Sequence, residues 1–161
     1  MSRFITFSQK FPSYHPRKGQ PTHFVEQFYN SLFSKNNLMD YPKGLEVDDR
    51  ILGVKKHTIR KGNRWKVGDK FSPRVWSGKP YHSKHIILCK DIEIKKIWSF
   101  AADGGGYFYL NGEQLDVTSE LQALIPLNDG LSSEDFLNWF PVNKAFEGQI
   151  ICWDDNINYD L

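Results

Sequence analysis

Two hydrophobic periods run through the chain, and the points where one gives way to the other predict its elements. Phe4, Thr6 and Ser8 alternate with Ile5 and Phe7, a period of two that predicts a first strand over 3–8. Phe11-Pro12 ends it, since proline restricts the residue before it. The following stretch, 13–21, carries enough proline and glycine to form a loop; it is cationic and aromatic, suited to cover a pocket or simply to connect. From Phe24 the period lengthens. Phe24, Val25, Phe28 and Leu32 recur at spacings of three and four, the core-facing stripe of a helix capped by Thr22 and running to about Ser34. Asn36-Asn37 and Pro42-Lys43-Gly44 then lead to a short helical turn over 48–52.

Beyond residue 60 the pattern is mostly that of strands. Lys61-Gly62-Asn63 reads as a turn, and 65–71 leads into a strand through a tight Gly68-Asp69 turn. A strand end follows at 74–77, and the dense β-branched run over 84–100 supplies one or two strands around Asp91. Residues 107–110, Asn111-Gly112 and 113–115 have the form of a hairpin closed by a two-residue turn. Thr118 or Ser119 opens a short helix to Leu124, and 132–135 cap another carrying Phe136, Leu137, Trp139 and Phe140 before Pro141. Residues 146–153 form a closing strand, and the acidic tail after Trp153 is expected to be loose. With no internal repeat or linker, these elements fit one α+β domain over 1–161 with a mixed or barrel sheet.

Composition narrows the function classes. At 161 residues the chain can bury its own core, and 15% aromatic residues argue against disorder. No apolar run approaches the roughly 20 residues of a membrane span, and the N-terminus lacks the apolar segment of a secretory signal. The expected location is the cytoplasm. Cys89 and Cys152 each lie in an apolar run, as buried free thiols do, and with no Cys-x-x-Cys a zinc site is not indicated. His82-x-x-His85 lacks further ligands at suitable spacing, and Gly104-Gly105-Gly106 lacks the Gly-Lys-Ser/Thr ending of a phosphate loop. No cofactor or structural metal is therefore expected. Charge is unevenly distributed: 55–79 holds nine Lys or Arg against Asp69 alone, whereas 101–161 holds eleven acids against Lys144 alone. A local positive field of that kind attracts phosphates, unless the two halves neutralise each other across the fold.

The basic stretch opens with Ile51-Leu52-Gly53-Val54-Lys55-Lys56-His57-Thr58-Ile59-Arg60. Gly53 suits a left-handed turn, and Thr58-Ile59 favours extended backbone. In a regular strand Lys56, Thr58 and Arg60 share one face, and Lys55, His57 and Ile59 the other. A hydroxyl among cations can bind an anion or become a stronger nucleophile. The plainer reading is an edge strand protected from aggregation by its lysines.

The run Gly53-x-Lys55-x-x-Thr58-x-Arg60, followed by Gly68-Asp69, resembles the signature of the ASCH domains, a branch of the PUA-like β-barrel superfamily. Residues 4–11 also resemble the opening strand of small bacterial ASCH enzymes that deacylate N4-acetylcytidine. The resemblance covers 2–11 and 48–153, is densest in the first half, and makes 12–47 an N-terminal helical insertion. It implies a small PUA-like barrel with short flanking helices, and an amide hydrolase whose lysine and threonine are Lys55 and Thr58. The family's acid falls on Asp129, in Asn128-Asp129-Gly130-Leu131, where the relatives have glutamate. Aspartate is shorter by one methylene, about 1.5 Å, so Asp129 is open to three readings: catalyst, base-binding group or turn residue.

For Lys55 to take a proton from Thr58 its pKa must fall, which burial and cationic neighbours promote. An ideal strand sets Lys55 and Thr58 on opposite faces, so either the backbone is still turning at Lys55 or Lys56 is the working lysine. Lys56, Arg60, Arg74 and Trp76 are the candidates for substrate or anion binding. Trp65, Trp76, Tyr81 and His57 interleave with the basic run and suit stacking on bases, with at most two of them expected to be exposed. The alternative is therefore a non-catalytic RNA-binding or modified-base reader domain. The partner is a modified nucleoside or RNA. RNA cleavage has little support from Lys, Thr and Asp alone.

Overall fold

A computed structural model describes residues 3–32 and 41–160. The first strand, β1 (Phe4–Thr6), buries Ile5 and is followed by buried Phe7. After the loop comes helix α1 (Phe24–Leu32), whose first amide is capped by Thr22 Oγ1 at 3.3 Å. Nine residues are too few for a stable isolated helix. Burial of Phe24, Val25, Phe28 and Tyr29 holds it in place, each large side chain contributing roughly 1.5–3 kcal/mol. Ser34, where the helix was expected to end, and Asn36-Asn37 lie outside the described residues. Near 48–52 there is a single turn, closed by Ile51 N–H donating to the Asp48 carbonyl.

The remaining elements are strands β2 (His57–Lys61), β3 (Lys70–Trp76), β4 (His85–Ile87), β5 (Ile92–Glu93), β6 (Lys96–Ala102), β7 (Phe108–Leu110) and β8 (Glu113–Gln114), helices α2 (Glu120–Asn128) and α3 (Ser133–Leu137), and strand β9 (Phe146–Cys152). They make an α+β structure with two sheets. In the first, β3 pairs in parallel with β1 on one edge and shares the other between β4 and β5. In the second, the order is β2-β9-β6-β7-β8, antiparallel throughout. The chain crosses between sheets within two residues: Ile94 N–H donates to the Asp69 carbonyl and Lys95 N–H to that of Cys152. Among the described residues the strands do not close into a barrel. β2 is an edge strand, as the plainer reading of its lysines had it.

Aromatic packing joins the layers. Phe7, Phe28, Phe71 and Trp153 cluster at ring separations of 5.2 to 6.0 Å, seating α1 against both sheets. Phe100, Phe108, Phe136 and Phe140 form a second cluster beneath α3. Gly148 lies where β9 passes β2; a Cβ there would overlap the Arg60 carbonyl oxygen and the Phe146 ring. The hairpin turn has Asn111 and Gly112 both at positive φ, as its sequence predicts. Cys89 and Cys152 are free thiols, and no helix among the described residues is long and apolar enough to cross a membrane.

Two expectations fail. Helix α2 runs on to Asn128 rather than stopping at Leu124, with Pro126 inside it. Near a C-terminus proline's missing N–H costs one bond, and the Pro126 carbonyl recovers two donors, from Asp129 and Leu131. The acidic tail is not loose either. Ile157 and Tyr159 are buried, Lys96 Nζ donates to the Ile157 carbonyl, and Trp98 Nε1 donates to Asp160 Oδ1 at 3.1 Å.

Candidate functional site

β2 begins at His57, so Lys55 precedes the strand and is free of its alternation. Gly53, at φ 100°, turns the chain just before it. The Lys55 amide then donates to the Gln27 carbonyl of α1 (2.9 Å), and the Lys56 amide to the Asn128 carbonyl at the end of α2 (2.7 Å). The second bond satisfies one of the carbonyls a helix leaves open at its C-terminus. Lys55 is thereby turned inward, onto the same side as Thr58.

Asp129 arrives from the other direction. It ends α2, and Gly130, at φ 84°, reverses the chain behind it toward α3. Gln27 pins this turn, its Nε2 donating to the Gly130 carbonyl at 3.0 Å. A Cβ on Gly130 would press on the Gln27 amide, so glycine is needed there for space as well as for φ. Asn30 fastens the other loop, Nδ2 donating to the carbonyls of Ile51 (3.1 Å) and Gly53 (2.9 Å). Helix α1 thus supplies the frame on which Lys55 and Asp129 meet.

Lys55, Thr58, Arg60 and Asp129 line one cavity of about 550 Å³, within the roughly 300–1,000 Å³ usual for small-molecule sites. Lys55, Thr58 and Asp129 lie deep, at 2%, 4% and 7% exposure. Tyr14 and Phe24, with Trp139 and Phe146, give apolar walls, and exposed Lys61 and Lys144 stand at the mouth. Tyr14 Oη donates to the Trp139 carbonyl, closing the loop before α1 over one side.

Inside, Lys55 Nζ donates to the Asp129 carbonyl (2.8 Å) and to Oδ1 (3.1 Å), and sits 4.1 Å from the centre of the Phe24 ring. Burial pulls the Lys55 pKa below its ordinary value, against the opposing pull of Asp129. Burial alone would raise the Asp129 carboxyl, but the Lys55 charge and the His57 hydrogen bond outweigh it and hold it low. The two groups therefore form an ion pair with a weakened hold on the lysine proton. Asp129 Oδ2 takes no bond from a described residue and is not sealed off, which leaves it open to a ligand. Arg60 Nη2 donates to the Thr6 carbonyl (2.7 Å), tying the two sheets together beside the cavity, and burial lowers its pKa to about 10.

The other predicted binding residues lie elsewhere. Lys56 does not line the cavity; its Nζ faces Asp154 Oδ2 at 3.7 Å. Arg74 lies over the Phe4 ring, with Nε donating to Ser72 Oγ. Trp76 packs on His85 and Tyr81 and lines a different groove. Of the four aromatics in the basic run, Trp65 and His57 are buried and Tyr81 is 85% exposed.

Three partners of the site were missed. Gln27 lies between the apolar positions of α1 and carries no signal of its own. His57 was expected to stack on bases, yet its Nδ1 lies 3.3 Å from Asp129 Oδ1. Tyr159, in a tail with no hydrophobic period, sits 2.7 Å from His57 Nε2. Only the Lys55-x-His57 spacing hinted that a second polar group follows the lysine. Among the described residues no group of three or more His, Cys, Asp or Glu could hold a metal ion. Comparisons with protein-family models, curated proteins and solved structures give no match to this chain.

Proposed function

We propose that the protein hydrolyses the amide between an acyl group and the exocyclic amine of cytosine, as in N4-acetylcytidine. The observation that carries this is the convergence of Lys55, Thr58 and Asp129 on one cavity, with the lysine already bonded to the carboxylate. A lysine acts as a base only when neutral. Lys55 reaches that form by passing a proton to Asp129. Thr58 Oγ1 then bonds to the acyl carbon as its proton moves to Lys55, and Arg60 or nearby amides stabilise the oxyanion. The carbon–nitrogen bond breaks, and the amine leaves with the proton held on Asp129. Water cleaves the Thr58 ester, releasing the acid and restoring the hydroxyl. On this reading the two sheets are an open form of the PUA-like barrel of ASCH proteins, and Asp129 stands for their glutamate.

Chromatography of N4-acetylcytidine incubated with the protein tests it. Wild type is expected to form cytidine, and Thr58→Ala to lose at least about 10³-fold in kcat with little change in KM. No turnover by wild type, or unchanged turnover in the variant, removes the proposal. A second reading is favoured by the cavity mouth, where Tyr14, Trp139, Lys61 and Lys144 suit stacking and phosphate contact. It makes the protein a reader of modified bases or RNA. Salt-sensitive binding of single-stranded RNA without deacylation is its signature.

A further inference from the structure

Behind the cavity wall lies a second set of buried polar groups that the reaction above does not use. His57 and Tyr159 are almost fully buried and neither lines the cavity. Asn128 Nδ2 lies 2.9 Å from Tyr159 Oη, Oη lies 2.7 Å from His57 Nε2, and His57 Nδ1 lies 3.3 Å from Asp129 Oδ1. Donor and acceptor chemistry fixes the direction of each bond. The Asn128 amino group can only donate, so Oη accepts from it and keeps one hydrogen to give. The partner placed to receive that hydrogen is Nε2, which accepts only in an imidazole protonated on Nδ1. That Nδ1–H then points at the Asp129 carboxylate. A doubly protonated ring would leave the Tyr159 hydrogen with no acceptor in a buried place, which is costly.

We propose that Tyr159 is a positioning residue of the cavity, acting through His57: the relay Asn128–Tyr159–His57 selects the tautomer whose Nδ1–H holds Asp129 where it grips Lys55. Burial, which disfavours a charged imidazole here, works in the same direction. The groups facing Asp129 are Lys55 and His57, with Arg60 and Tyr159 beyond; those around Tyr159 are His57, Asp129 and Cys152 of β9. Among the described residues none but His57 and Lys55 donates to the carboxylate. Loss of the histidine donor therefore raises the carboxyl pKa. The catalytic consequence rests on the amide-hydrolase reading; the tautomer does not.

Tyr159→Phe tests the relay, because it keeps the ring against Trp98 (4.7 Å) and His57 (5.7 Å) and removes only the hydroxyl. In ¹⁵N-labelled wild type, long-range ¹H–¹⁵N correlations are expected to show a neutral His57 with the proton on Nδ1. In Tyr159→Phe that tautomer is lost or mixed. Its kcat on N4-acetylcytidine falls about 10- to 100-fold, up to the scale of misplacing a catalytic group by about 1 Å. KM stays within about two-fold, and the acid limb of the kcat profile moves to higher pH. An Nε2–H or doubly protonated ring in wild type overturns the proposal, as does a folded Tyr159→Phe protein with both tautomer and acid limb unchanged. A wild type inactive on acylated cytosine but showing the Nδ1–H ring removes the reaction and leaves the relay standing.

Discussion

The two walls of the cavity are held by different kinds of bond. Thr58 and Arg60 stand on β2, which is laddered to β9 through five residue pairs from His57↔Cys152 to Lys61↔Gly148. Their positions follow from register, since a one-residue slip would turn both side chains to the other face. Lys55 and Asp129 stand on loops. There scattered bonds do the holding: the Lys55 and Lys56 amides on the Gln27 and Asn128 carbonyls, and the side chains of Gln27 on the Gly130 carbonyl and of Asn30 on those of Ile51 and Gly53. The ladder wall is stiff because many backbone bonds must break together. The loop wall depends on a few bonds, each of which can be removed without unfolding a sheet.

Gly148→Ala attacks the ladder wall and has the largest expected effect on stability. The added methyl meets backbone in the neighbouring strand, where no side-chain rotation relieves it, so a loss at the upper end of about 1–3 kcal/mol or beyond is expected by denaturant titration. Gln27→Ala attacks the loop wall. It removes the donor to the Gly130 carbonyl and costs about 1–2 kcal/mol. Its loss of kcat on N4-acetylcytidine should exceed what that stability change accounts for, because Asp129 is released. If the two variants lose activity only in proportion to stability, the walls do not differ as described. Lys56→Ala is the control with the smallest effect. Its half-exposed ion pair with Asp154 is worth about 0–1 kcal/mol, and turnover should be unchanged.

The same contrast explains what was legible in the sequence. Strands and caps are local, so β1, the Asn111-Gly112 hairpin and the Ser132 cap could be read from a few neighbouring residues. The Thr58–Arg60 spacing was readable for the same reason. Lys55 was ambiguous, because its orientation depends on where β2 begins, and that is decided by bonds to Gln27 and Asn128 far away in sequence. Arg74 and Trp76 belong to the same basic run as the site, yet β3 carries them to another face. Tyr159 had no local signal: its burial follows from contacts with Trp98 and His57, both far away in sequence.

The placement of β9 has a consequence for how the molecule is made. This late strand is the shared partner of β2 and β6, so neither can complete its pairing until the polypeptide has been extended past residue 152. At ribosomal speeds β2 waits on the order of ten seconds with its hydrogen-bonding groups open to other nascent chains. The density of positive charge around it then has a use that precedes any chemistry: it keeps a growing polypeptide from sticking to its neighbours until the partner strand is delivered.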